Sequence, residues 1–170
     1  VEPGMSRFRR YDGELSLESN RREGAYQWMS LRRTNIRTGQ VNPDTLEDAY
    51  RFHSRILETT PYHLTISPLD VDYLELMFGF DLESKGNHDA IVYQALFEDT
   101  PLGSLLNINA EGKVMDVQPI FGFALTPEGD EQCFFEVKTR GRSRRGSAGR
   151  YRDEPISLFL TVRRYGPVDK

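Results

Sequence analysis

Between residues 71 and 82 the apolar side chains fall on every second position. Leu74, Leu76, Phe78, Phe80 and Leu82 share one face, and Tyr73, Glu75, Met77, Gly79 and Asp81 the other. Only an extended chain puts alternate residues on opposite sides, so the run predicts a long strand with one buried face. Three later runs repeat the alternation. Met115, Val117, Phe121, Phe123 and Leu125 share a face of the first, Cys133, Phe135 and Val137 one of the second, and Ile156, Leu158, Leu160 and Val162 one of the last. Thr126-Pro127-Glu128-Gly129-Asp130 has the residues of a turn between the first two of these. One apolar and one polar face per strand is the pattern of an antiparallel sheet covered on a single side.

Two segments change to helical spacing. After Asn42-Pro43-Asp44-Thr45, the residues Leu46, Ala49, Tyr50, His53, Ile56 and Leu57 form one stripe, with Pro43 and Asp44 suited to the first turn and Pro61 expected to close the helix. Ile91, Val92, Ala95 and Leu96 predict a second, shorter helix entered through Asn87 or Asp89. The fold class that follows is α+β: a two-layer sandwich in which an antiparallel sheet of at least four strands carries both helices on one face. The first 40 residues resist assignment. Residues 14–18 suit a short strand, but Ala25, Trp28, Met29 and Leu31 keep neither period.

Composition bounds the remaining readings. A chain of 170 residues with 38% hydrophobic and 28% charged side chains buries a core without staples. Residues 1–4 are read as a vector remnant or an alternative start, which leaves a single expected domain over residues 5–170. Cys133 stands alone, so an internal disulfide is excluded and no paired Cys/His set marks a structural zinc site. No apolar run approaches the roughly 20 residues of a membrane-spanning helix, and the first residues lack the apolar centre of a signal peptide. A cytoplasmic location without a membrane partner is the expectation.

Charge is unevenly spread. Residues 1–40 hold 8 basic and 5 acidic side chains, residues 41–131 hold 4 and 17, and residues 132–170 hold 10 and 4. An acidic middle with basic flanks is neutralised either within the fold or between molecules. The densest cationic stretch lies between the last two predicted strands, where Lys138, Arg140, Arg142, Arg144, Arg145, Arg150 and Arg152 occur with no acidic residue among them. Gly141, Gly146, Ser147 and Gly149 predict a flexible hairpin tip. Seven like charges repel one another, and a polyanion relieves that repulsion by releasing counterions. Arginine favours bidentate contacts to phosphate or carboxylate, and Tyr151 adds a stacking surface. These eight residues form the predicted anion-binding site. Arg144-Arg145-Gly146-Ser147 also has the form of a basophilic kinase site.

Gly86-Asn87-His88-Asp89 resembles one motif of the metallophosphoesterases, in which Asn and His help to hold a two-metal centre. The other motifs of that family have no counterpart, and the only further histidines are His53 and His63. The competing expectation is a turn in which Asn87 caps the helix. Asp70, Asp72, Glu75 and Asp81 do not share one strand face, so no acid/base pair follows from them. No nucleophile elbow, phosphate-binding loop or dinucleotide fingerprint is present, and no cofactor is expected.

The sequence therefore favours a non-enzymatic interaction module that offers the Arg-rich hairpin to an anionic partner, an acidic protein surface or nucleic acid. Two alternatives stand beside it. One is a self-assembling structural protein, a homo-oligomer formed through the segregated charges, with Phe134 and Phe159 as contacts on the polar sheet face. The other is a metal-dependent hydrolase using Asn87, His88 and Asp89.

Overall fold

The computed structural model describes residues 4–106, 114–139 and 155–167. The sequence reading takes residues 5–170 together; the structure groups the chain into two compact units, Val1–Ser67 and Pro68–Lys170. Both contain an antiparallel four-stranded sheet and helix, so the class is α+β as expected.

In the first unit, β1 (Met5–Tyr11), β2 (Glu14–Ser19), β3 (Tyr26–Arg32) and β4 (Ile36–Val41) follow one another in space as in sequence. Glu23 and Gly24 have φ of 50° and 85° and sit between the bridged pair Arg22 and Ala25. Two successive positive φ values give a turn whose twist matches that of the flanking strands. Apart from residues 14–18, the expected short strand now seen as β2, this meander is the stretch that sequence periodicity left unassigned, and its packing explains why. Met29 and Leu31 share a face with Leu17 and Leu15, while Trp28 lies on the other, its ring flat over Gly39. With large apolar side chains on both faces, and Ser16 and Ser30 buried opposite each other, no clean alternation exists.

Helix α1 (Leu46–Leu64) follows. Pro43 and Asp44 precede the helix instead of forming its first turn, and Thr45 caps it: the Thr45 hydroxyl oxygen accepts from the Asp48 N–H at 3.1 Å. Pro61 lies inside the last turn instead of closing the helix, which ends with Thr65 in the left-handed conformation. The buried side chains are Ala49, Phe52 and Thr60, whereas Leu46, Tyr50 and Leu57 are exposed; the stripe is rotated from the predicted one. Thr38 on β4 and His53 on α1 are joined at 2.6 Å, tying the helix to its sheet through a histidine of the predicted stripe.

The second unit is built on the order β5-β8-β7-β6, all neighbours antiparallel. Its strands are β5 (Tyr73–Leu82), β6 (Ile120–Ala124), β7 (Glu131–Lys138) and β8 (Ile156–Tyr165). The long strand predicted from residue 71 is β5, and β7 and β8 also lie where alternation placed them. The run beginning at Met115 is only partly a strand: residues 114–119 have no regular structure and β6 starts at Ile120. Helix α2 (His88–Leu96) packs Val92 against Val137 and Ile156, with Ile91, Val117, Phe135 and Leu158 around them. Burying each of these aliphatic side chains contributes about 1.5–3 kcal/mol. A short helix, α3 (Pro101–Leu106), follows α2 and is tied back to it by the Tyr93 hydroxyl, which donates to Gly103 O at 3.1 Å. Among the described residues no helix is long and apolar enough to cross a membrane.

Candidate anion-binding surface

The Arg-rich stretch connects β7 to β8, two strands joined by a ladder that pairs Lys138 with Ser157 and continues without a bulge to Glu131 and Arg164. This end of the hairpin is the best-buried part of the unit. Val137, Ile156 and Ser157 are 2%, 5% and 0% exposed, and Thr139 is buried beside them. Of the predicted site residues only Lys138 is described; Arg140, Arg142, Arg144, Arg145, Arg150, Tyr151 and Arg152 lie outside the described residues, as does the kinase-type Ser147. Lys138 is half exposed and engaged within its own sheet. Its Nζ stands 3.1 Å from Glu136 and 5.1 Å from the centre of the Phe159 ring.

The Gly86-Asn87-His88-Asp89 segment forms the lock under this hairpin. Asn87 caps α2, its Oδ1 accepting from Ala90 N at 3.2 Å while its Nδ2 donates to Val114 O at 3.2 Å. His88 is 1% exposed, with Nε2 3.1 Å from Ser84 O. Asp89 Oδ1 accepts two bonds, from Val117 N at 2.9 Å and from Thr139 Oγ1 at 2.5 Å. One carboxylate thus joins the first turn of α2, the irregular segment before β6 and the end of β7. Asn87 and Asp89 therefore have structural tasks, as does His88 Nε2, while His88 Nδ1 is buried without a hydrogen-bond partner. Among the described residues no three His, Cys, Asp or Glu side chains gather closely enough to hold a metal ion.

The polar face of the sheet carries a cluster that alternation alone did not single out. Arg163 lies over Tyr73 at 4.6 Å, Phe134 at 5.5 Å and Tyr165 at 5.7 Å. Its Nη1 donates to the Tyr165 hydroxyl at 2.9 Å and its Nε to Glu75 Oε2 at 2.9 Å, with Nη2 on the same oxygen. The Tyr165 oxygen and the Glu75 carboxylate push the guanidinium further above its ordinary value. Tyr73 pairs with Tyr165 one same-face row beyond Glu75 and Arg163, so the signal available in the sequence was an arginine two residues before a tyrosine of the same parity. Phe134 and Phe159, singled out as apolar residues on a polar face, lie over glycines of neighbouring strands. A Cβ on Gly122 would fall 3.1 Å from the Phe134 ring, and one on Gly79 would fall 3.2 Å from Phe159.

Part of the charge segregation is neutralised within the sheet. Pairing β8 with β5 and β7 sets Arg163 against Glu75, and Arg164 against Glu131 at 3.7 Å. Asp81 accepts from the Ser157 hydroxyl at 2.6 Å. Asp72 lies outside β5, and its carbonyl accepts from Gly166 N at 3.1 Å. Cys133 is half-buried on the apolar face, between Phe123 and Val162. A shallow, open depression of about 280 Å³ beside α2 is lined chiefly by Tyr93, Phe97, Leu102, Val117 and Pro119.

No family model matches the chain, and neither does any curated protein or solved structure.

Proposed function

We propose that the chain is a non-enzymatic interaction module that offers the β7–β8 connection to an anionic macromolecule. The observation that carries the reading is the contrast between the connection and its base. Seven cations and no carboxylate occur from Lys138 to Arg152, and they issue from the two strands at the point where the unit is most deeply buried. A rigid base lowers the entropic cost of presenting a charged segment. Three carboxylates at that end are already engaged: Glu136 faces Lys138, Asp81 accepts from Ser157, and Asp89 accepts from Val117 and Thr139. Arginine's planar fork suits phosphate and carboxylate alike.

The test replaces residues 140–152 with a short Gly-Ser turn. Lys138 and Thr139 are kept because Thr139 holds Asp89. Binding to duplex DNA, single-stranded DNA and polyglutamate is then followed by sedimentation as salt is raised. If all seven cations engage a duplex, log Kobs falls against log[salt] with a slope of about −6, and with a slope of about −5 on a single strand. The shortened chain is expected to lose this binding while its far-UV circular dichroism stays that of the parent. Unchanged binding by the shortened chain, or a slope near zero, refutes the reading.

A further inference from the structure

The apolar face of the second sheet is larger than α2 covers. The helix covers Val137 and Ile156 at one end of the two interior strands and leaves the β5 side of those rows open. Towards the other end, the rows through Leu160 and Val162 stay open. Leu160 lies on an interior strand between β5 and β7 and is still 38% exposed. On the flanking strand β5, Leu76 and Phe80 are 39% and 57% exposed, and on β6 Phe121 and Phe123 are 41% and 59% exposed. Register places all five on one face, and Leu125, 54% exposed, extends it where its N–H bonds to Glu131 O. With Leu74 and Leu82 at the rim of β5, eight side chains stand close to half exposed. At about 200 Å² for a fully exposed side chain of this size, they present about 700 Å² of apolar surface. The largest patch on a typical monomer is about 300–600 Å².

We infer that a second copy of this chain covers this face, giving a two-fold dimer through the apolar side of the β5-β8-β7-β6 sheet. The area fits: two such patches bury about 1,400 Å², inside the range of about 1,200–2,000 Å² for a stable interface. The charge on the face fits as well. Its open end carries one cation and one anion, Arg164 and Glu131, already 3.7 Å apart. A surface with balanced, paired charge is complementary to a copy of itself, because a two-fold axis brings each sign within reach of the other. Nucleic acid or an anionic lipid surface would call for uncompensated cations, and this face has none among its described residues. The inference does not depend on how the β7–β8 connection acts.

Sedimentation equilibrium of the whole chain from low to high micromolar concentration, in low and in high salt, tests the inference. A dimer that persists or tightens as salt rises is expected, since apolar burial is not screened. Phe123→Lys should yield a monomer. Ile120→Lys, at an equally exposed position on the opposite face, should leave the dimer intact. If Phe123→Lys fails to fold, Phe123→Ala reads the same contact as a rise of at least about tenfold in the dimer dissociation constant. A parent chain that stays monomeric throughout overturns the inference. So does a dimer that dissolves in salt, or one that Ile120→Lys breaks and Phe123→Lys does not.

Discussion

Replacing Asp89 with alanine removes the acceptor on which three segments of the second unit converge. The side chain is 7% exposed, and the two donors it satisfies, Val117 N and Thr139 Oγ1, are left facing an apolar methyl. A hydrogen bond to a carboxylate contributes about 1.5–3 kcal/mol, and a buried donor left unpaired costs about 1–3 kcal/mol. Asp89 also sits in the first turn of α2, where a carboxylate adds about 0.3–1 kcal/mol against the helix dipole. These contributions overlap, so Asp89→Ala is expected to destabilise by about 3 kcal/mol, while Asp89→Asn, which keeps one acceptor oxygen, should cost about 1–2 kcal/mol. At a urea slope of about 2 kcal/mol/M, the alanine variant loses about 1.5 M in midpoint by circular dichroism. Hydrogen exchange locates the effect: the Val117 amide should lose protection in Asp89→Ala more than in Asp89→Asn. Two results refute the reasoning. One is an alanine variant within about 0.5 kcal/mol of the parent. The other is an asparagine variant as damaged as the alanine one, which would mean that the acceptor count does not govern the site.

Two further outcomes follow from the first unit. Gly39→Ala would set a Cβ 2.2 Å from the Trp28 ring, so the ring must move. Destabilisation of about 1–3 kcal/mol is expected, with a shift in the emission of Trp28, the only tryptophan. A gain in stability, as at an unhindered Gly→Ala site, would show that Trp28 does not lie on that strand. Burial lowers the pKa of His53 beneath its ordinary value. The unfolded chain therefore binds more protons than the folded one once pH falls below about 6.5. The stability is fully present above that value and is lost progressively on acidification. Melting midpoints between pH 5 and pH 7.5 should fall more in the parent than in His53→Asn, which retains a partner for Thr38; equal slopes would contradict the assignment.

Much of the second unit was legible before any coordinates. β5, β7 and β8 alternate cleanly because the sheet has one apolar and one polar face, and a period of two survives wherever that difference does. Asn87 was legible as a cap because a short side-chain acceptor followed by an apolar helical run has few other uses. The first sheet was not legible, since Trp28 fills the space over Gly39 while Met29 and Leu31 fill the opposite face. Helix α1 was found and Ala49 of its stripe is buried, but the rest of the buried side was misplaced: Leu46, Tyr50 and Leu57 match the helical period, yet Phe52 and Thr60 are buried beside Ala49. Spacing identifies an amphipathic helix without saying which neighbour it meets.

The amino-acid sequence by itself determined the class of fold, the strands with unequal faces, and the concentration of seven cations from Lys138 to Arg152. Those properties depend on local period and composition, which a linear chain carries in full. Tertiary structure decided that Asp89 reaches across to Val117 and Thr139, that Arg163 and Arg164 are matched to Glu75 and Glu131, and that Leu160 on an interior strand is left open. Each depends on which segments become neighbours, and these contacts join residues 28 to 88 positions apart, beyond the reach of the pattern within any one strand.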